Sequence, residues 1–126
     1  MQWLEVLHLD DTTGQKDRMD LAFGNVHEAS DSYDAAYDII YVSPPPSVVD
    51  AWLRLDDPEH PAINRLSRDV RDMIPENIWQ VIINEDRELY VHWDSRTFDE
   101  GIYTLNDFQD MRADTDYYAA PYETLT

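Results

Sequence analysis

The 126-residue chain contains no cysteine, a single lysine and only three glycines. Without cysteine, neither a disulfide framework nor thiol chemistry is possible. This absence leaves the redox compartment open, because many secreted domains also lack disulfides. Three glycines are too few for a glycine-rich loop that cradles a phosphate. The sequence therefore argues against redox chemistry at a thiol and against nucleotide binding through such a loop.

Positive charge is also scarce. Lys and Arg total 9 against 27 Asp and Glu, which gives a formal net charge of −18. Nucleic-acid binding needs clustered basic residues and is not expected here. An anionic membrane surface would repel the chain. No apolar run approaches the roughly 20 residues of a membrane span, so membrane insertion is not expected either.

The acidic residues are mostly aspartate, and the basic residues are almost all arginine. This balance is typical of proteins from salty or calcium-rich extracellular settings, and it differs from the Lys/Glu enrichment of hyperthermophiles. Plain solubility from a high net charge is the alternative explanation. A DNA mimic that blocks basic partners by charge is a further hypothesis that follows from the same composition.

Short alternating segments separated by turn residues predict an all-β fold. Gln2–Leu9 and Arg18–Phe23 are predicted to form a hairpin, and Asn77–Asn84 is predicted to turn back into Arg87–Asp94. About eight such strands and no long helix predict an antiparallel two-sheet sandwich. The length suits one domain over residues 1–126.

The sandwich is predicted to contain a long, irregular, acidic crossover over Gly24–Asp50. It begins with aspartates interleaved with tyrosines and ends in Pro44-Pro45-Pro46, which favours a stiff polyproline segment. Its polarity argues against a core element, and its aromatic residues argue against a flexible linker. We expect the segment to be ordered and held in place by its carboxylates.

Three hypotheses explain these carboxylates. Asp31, Asp34 and Asp38, with Glu28 nearby, supply the oxygen ligands that calcium prefers, although their spacing is not that of an EF-hand. Alternatively, Asp31 or Asp34 pairs with one of two arginines of a later strand, because a partly buried guanidinium needs a carboxylate. These arginines are Arg68 and Arg71. Simple capping of backbone N–H groups is the third possibility.

No catalytic residues are predicted, and we expect the chain not to be an enzyme. The serines lie outside any Gly-x-Ser-x-Gly elbow, and no His-Asp pair is placed in sequence to activate them. The histidines lack the spacing of a zinc site. They are His8, His27, His60 and His92. Carbohydrate binding on a platform of Trp52, Tyr90 and His92 is an alternative function.

A series of short motifs resembles the β-sandwich modules of bacterial and archaeal secreted or surface-anchored proteins. Those modules carry Phe-Gly, then Ala-Thr-Asp-Gly-Tyr/Phe-Asp, then a proline run, then Leu-Ser-x-Asp-Ile-Arg and Ser-Trp-Asp. The matching segments here are Phe23-Gly24, Ala29–Asp34, Pro44–Pro46, Leu66–Arg71 and His92–Asp94. Ser30 stands in place of the usual Thr, and Ser32 in place of the usual Gly.

The resemblance implies a non-catalytic module at the cell surface or outside the cell. Its partners would be other protein modules or copies of itself. A filament or surface-layer subunit that donates a strand to its neighbour is the alternative within this class. The resemblance implies no particular ligand.

Overall fold

The computed structural model describes residues 3–30, 32–72, 77–98 and 101–126. These residues form eleven β-strands and contain no helix, so the predicted all-β class is confirmed. None of the described residues lies in a helix that is long and apolar enough to cross a membrane. The strands are β1 (Trp3–Asp11), β2 (Met19–Asn25), β3 (Ile39–Ile40), β4 (Ala51–Arg54), β5 (Arg65–Arg71), β6 (Val81–Ile83), β7 (Leu89–His92), β8 (Thr104–Leu105), β9 (Gln109–Asp110), β10 (Asp116–Ala119) and β11 (Thr124–Leu125).

The strands follow one main path rather than two packed sheets. Their order is β10-β7-β1-β2-β5-β4-β6-β11, with β3 beside β5, and β8 and β9 form a separate small hairpin. The predicted two-sheet sandwich is therefore not confirmed. The sheet is also not purely antiparallel, because β2 and β5 pair in parallel. A parallel pair needs a long connection, and the acidic crossover is part of that connection.

The main sheet must be strongly curled. β10 and β11 lie at opposite edges, yet only residues 120–123 join them. Five residue steps span at most about 18 Å. Eight strands in a flat sheet would separate the two edges by seven spacings of about 4.8 Å, roughly 34 Å. The curl brings the edges together and encloses one core.

Alternation along the strands decides which side chains enter this core. In β1, Trp3, Leu7 and Leu9 face inward, as their spacing predicts. In β7, Leu89 and Val91 are buried, and Trp93 just after the strand is buried as well. Side chains from both ends of the strand order share a single hydrophobic cluster. The short β8–β9 hairpin contributes Leu105 to it, so it packs beneath the curled sheet.

The two predicted hairpins have different outcomes. β1 and β2 form the expected antiparallel pair, with Leu7 opposite Leu21. The second prediction is wrong, since β6 pairs with β4 and β11 whereas β7 pairs with β1 and β10. The segment between β6 and β7 passes from one half of the sheet to the other. A buried carboxylate in that segment, Glu85, binds Lys16 and stabilises this longer route.

Gly24 has a steric reason for its place in the Phe-Gly motif. It lies opposite Leu4 in the β1–β2 ladder. A Cβ atom on residue 24 would lie 2.1 Å from the carbonyl oxygen of Trp3 and 2.9 Å from the Cα of Leu4. Both are backbone atoms that cannot move aside locally. The close approach of β1 therefore requires glycine at this position.

Candidate functional site

Asp38 ties the crossover to the main sheet. Its carboxylate is buried, its Oδ1 accepts a hydrogen bond from the backbone N–H of Val70 at 2.8 Å, and its Oδ2 accepts one from the N–H of Asp34 at 2.8 Å. Val70 lies in β5, 32 residues further along the chain. Burial raises the pKa of Asp38 to about 6 despite these two N–H donors, and the neighbouring Asp69 and Asp34 charges raise it further.

Asp34 makes a second, more local connection in the same segment. It accepts hydrogen bonds from the backbone N–H of Ser30 at 2.8 Å and from the Ser30 hydroxyl at 3.1 Å. Glu28 lies close by, with the Tyr37 hydroxyl 3.5 Å from its carboxylate. Asp31 lies outside the described residues. Glu28, Asp34 and Asp38 therefore accept hydrogen bonds from backbone or hydroxyl donors of the same chain.

Asp57 extends this arrangement from the loop after β4. Its carboxylate accepts the backbone N–H of Tyr33 at 3.0 Å and that of Glu59 at 2.9 Å, and Nδ1 of His60 lies 2.7 Å away. The Tyr33 N–H, more than any other group, lowers the pKa of Asp57. Three aspartates, Asp34, Asp38 and Asp57, thus fix the backbone of the crossover. We call these three residues the carboxylate clamp.

The predicted arginines lie next to this clamp but contact other groups. Arg68 Nε donates to the backbone carbonyl of Tyr37 at 2.5 Å. Arg71 donates to the carboxylate of Asp69 at 3.0 Å and lies over the ring of Trp79. Asp69, rather than Asp34, is the partner of Arg71 because both lie in β5 at positions i and i+2, on the same face. The pairings of Asp31 with either arginine involve a residue outside the described ranges.

Metal binding at the crossover is not supported by a ready-made cluster. Among the described residues, no group of three or more His, Asp or Glu side chains could hold a metal ion. The predicted calcium ligands Glu28, Asp34 and Asp38 all lie in the crossover, and the fourth, Asp31, is not described. Two of these carboxylates already bind backbone N–H groups, so a cation would have to use their remaining lone pairs.

A second carboxylate network was not predicted from the sequence. It lies where the turn after β1 meets the loop between β6 and β7. Asp11 accepts the N–H groups of Thr13 at 2.9 Å and Lys16 at 3.0 Å, and Arg87 Nη1 donates to it at 2.9 Å. Lys16 Nζ in turn donates to Glu85 at 2.7 Å. Arg87 and Asp11 are 76 residues apart, so no local pattern indicates their contact.

The pKa of Asp11 is lowered to about 2. Burial alone would raise it, but hydrogen bonds from the Thr13 hydroxyl and N–H, from Arg87 and from the Lys16 N–H outweigh that effect. The charged form is therefore the stable one in the folded chain. We call Asp11, Lys16, Glu85 and Arg87 the charged corner.

A row of aromatic and acidic side chains covers the outer face of β10, β7, β1 and β2. His8 and His92 are cross-strand partners with rings 5.0 Å apart, and Tyr90 stacks on His92 at 4.9 Å. Nδ1 of His8 lies 2.7 Å from Asp20, and Nε2 of His92 lies 2.5 Å from Asp10. Sequence spacing gives no sign of this row, because the strand register creates it.

The three residues proposed for carbohydrate stacking do not lie together. Trp52 lies on β4, with three strands between it and β7, where Tyr90 and His92 lie. Its ring is covered by the Arg65 guanidinium at 4.0 Å. The rings of Tyr90 and His92 are nearly parallel to each other, at 20°, so they cover one another's faces. This geometry leaves little free ring face for a sugar.

The chain was also compared with known proteins. No family model, curated protein or solved structure matches it. The function is therefore inferred from the geometry of the chain itself.

Proposed function

We propose that this chain is a non-enzymatic structural and interaction module of a secreted or cell-surface protein. The carboxylate clamp is the observation that carries the proposal. Asp38, the most buried of the predicted ligands that the structure describes, joins the N–H of Asp34 to that of Val70 and so fixes the crossover on β5. Carboxylates that are held by backbone N–H groups in this way serve a structural role, which is the basis for proposing a non-enzymatic module. The module resembles a sandwich only in that the curl lets the two halves of one sheet pack on a shared core.

The distribution of charge indicates the chemistry of a partner. Within the described parts of the chain, six basic residues form ion pairs with carboxylates, and the whole sequence has nine basic residues. The six are Lys16, Arg18, Arg54, Arg71, Arg87 and Arg96. The surface is left with a large excess of carboxylates. A partner module would therefore present basic groups, and two copies would associate only where cations screen their repulsion.

Hydrogen exchange tests the role of the clamp. In the unmodified chain, we expect the N–H groups of Asp34 and Val70 to exchange slowly, because both donate to a buried carboxylate. Asp38→Ala should accelerate exchange at both sites by at least tenfold. Asp56→Ala, which changes an exposed aspartate, should leave both unchanged. Equal exchange in Asp38→Ala and in the parent chain would contradict the proposal.

Calcium is the alternative stabiliser of the crossover. If Glu28, Asp31, Asp34 and Asp38 bind it, millimolar calcium should raise the melting temperature by mass action, and magnesium should do so far less. Asp31→Asn should remove that difference. If the clamp alone fixes the crossover, calcium and magnesium should have equal, small effects that come from general screening.

A second candidate is assembly by strand exchange, favoured by the open sheet. β10 and β11 form the two edges, and no ladder joins them among the described strands. Such edges can accept a strand from a neighbour. Mass photometry and electron microscopy at increasing calcium concentration test this. Monomers at every concentration would exclude assembly and leave only binding to other modules.

A further inference from the structure

A cavity of about 160 Å³ lies between the inner face of the sheet and residues 101–111. Its walls are mainly apolar and aromatic, and Leu53, Trp79, Phe98 and Tyr103 are among its lining residues. An engineered protein cavity of about 150 Å³ with similar walls stays dry and binds benzene. The cavity therefore has the size and the lining for a single aromatic ring system.

Asn77 is one of the few polar residues in this mainly apolar wall. Its side-chain Nδ2 donates to the carbonyl of Asp72 at 3.1 Å, which fixes the orientation of the amide. The Oδ1 atom on the other side of that amide is buried and accepts no hydrogen bond. Buried acceptors without a donor are rare and costly. A bound molecule with one N–H or O–H group would satisfy this oxygen.

The rings around the cavity favour a flat occupant. Phe98 and Tyr103 are stacked at 4.5 Å, and the rings of Phe23 and Trp79 are 5.2 Å apart and tilted. Rings in such arrangements pack well against a further aromatic ring, edge to face or offset.

Access and charge narrow the class of ligand further. Ile78 and Ile102 line the cavity and are 67% and 93% exposed, so the cavity opens to solvent beside an apolar rim. Asp107 also lines it, and the chain carries a net charge of −18. Carboxylates and other anions are therefore disfavoured. A cation would lose its hydration on entering the mainly apolar walls, so a neutral molecule fits these conditions best.

We propose that this cavity is a binding site for a small, neutral, aromatic molecule with one hydrogen-bond donor, of the phenol or indole class, whose donor binds Oδ1 of Asn77. The site is separate from the carboxylate clamp and does not depend on the proposed function. The cavity walls provide most of the affinity, and Asn77 provides the selectivity for a donor.

Phenol and toluene form a matched pair of probes, because they differ chiefly by a hydroxyl in place of a methyl group. Their affinities are measured by NMR titration on the parent chain, on Asn77→Leu and on a control, Asn84→Leu, which changes an exposed asparagine away from the cavity. Asn77→Leu should weaken phenol binding about threefold to tenfold, the range of one neutral hydrogen bond, and leave toluene binding unchanged. Asn84→Leu should change neither.

The result that overturns the site is the absence of saturable binding of either probe to the parent chain. Equal phenol affinity in the parent and in Asn77→Leu overturns the role of Asn77. Val81→Phe, which places a ring in the cavity, should abolish binding of both probes. If that variant does not fold, contacts from phenol protons to Trp79 and Phe98 in the parent chain give the location instead. Contacts elsewhere would contradict the proposal.

Discussion

Asp11 in the charged corner and Asp38 in the carboxylate clamp are both buried, and each accepts hydrogen bonds from two backbone N–H groups. Their pKa values nevertheless shift in opposite directions, to about 2 for Asp11 and about 6 for Asp38. The difference lies in the other neighbours. Asp11 also accepts hydrogen bonds from the Thr13 hydroxyl and from Arg87, whereas Asp38 faces the further carboxylates of Asp69 and Asp34.

This contrast shows that two backbone donors alone do not offset the burial of a carboxylate in this chain. At Asp11, the Thr13 hydroxyl and the Arg87 guanidinium add to the backbone donors, and together they outweigh burial. In the clamp, the ionised aspartate persists at neutral pH at a cost to stability. The first region therefore stabilises the fold most at neutral pH, and the second stabilises it most in mild acid.

The largest effect on stability is expected from removing the guanidinium of Arg87. Arg87→Met leaves Asp11 and Glu85 buried without their shared guanidinium, and breaking a buried pair in this way is strongly destabilising. We expect the melting temperature at neutral pH to fall by on the order of 10 °C. The matched control is Arg96→Met, since Arg96 and Asp94 form an exposed pair. A control loss as large as that of Arg87→Met would contradict the distinction.

Asp38→Asn should remove the pH dependence that the raised pKa of Asp38 gives to the free energy of unfolding. The folded pKa of about 6 lies above the ordinary value of 3.8, so the folded chain binds the proton more tightly. The resulting stabilisation is fully present below pH 3.8 and is lost as the pH rises through 6. The free energy of unfolding of the parent, relative to the variant, should therefore fall by up to about 3 kcal/mol from mild acid to neutral pH.

Urea unfolding of both proteins across this pH range measures that difference. Taking the difference between the two proteins removes the general effect of the net charge, which both share. A constant difference would show that Asp38 keeps its ordinary pKa.

Asp11→Asn should change the pH dependence of stability in the opposite direction to Asp38→Asn, and by a smaller amount. The folded pKa of about 2 lies below 3.8, so the stabilisation is present above pH 3.8 and is lost as the pH falls through 2. At neutral pH we expect the variant to lose about 1 to 2 kcal/mol, because water around the partly exposed Arg87 screens the pair. The loss should shrink in strong acid. A loss that grows in acid would reverse the assignment.

The smallest expected effect concerns Asp57, the third member of the carboxylate clamp. Its pKa is lowered by the N–H of Tyr33 first and by His60 among the smaller contributions. His60→Gln should therefore raise the pKa of Asp57 only partway towards its ordinary value. A carbon-detected NMR titration of the Asp57 carboxyl measures this. Complete return to the ordinary value would show that His60, not the backbone, controls the group.

Local pattern was enough to predict part of this molecule. The alternation of β1 and β2 and the turn between them identify a hairpin, because both strands and their connection lie within 25 residues. The same reasoning failed for β6 and β7, where Glu85-Asp86 was expected to form a tight turn. There the pairing is decided by contacts of Glu85 with Lys16 and with the N–H of Asp50, which are distant in sequence.

In the candidate site too, local contacts are predictable from the sequence, whereas contacts between distant residues are not. Aspartates after a turn are predictable acceptors of backbone N–H groups, and Asp34 with Ser30 is such a case. The donor from Val70 to Asp38 and the pair of Arg87 with Asp11 are separated by 32 and 76 residues. The curl of the sheet brings these groups together, and no residue spacing in the sequence predicts that curl.

The position of β10 and β11 has a consequence for how the chain acquires its structure. β10 and β11 follow the other described strands in sequence, and they form the two edges of the main sheet. Each of their partners, β7 and β6, therefore stays unpaired on one side until residues 116–125 have been synthesised. Pairing of such distant segments is slow, and exposed borders attract other chains meanwhile. A nascent chain of this protein is therefore most prone to aggregate while residues 116–125 are still inside the ribosome.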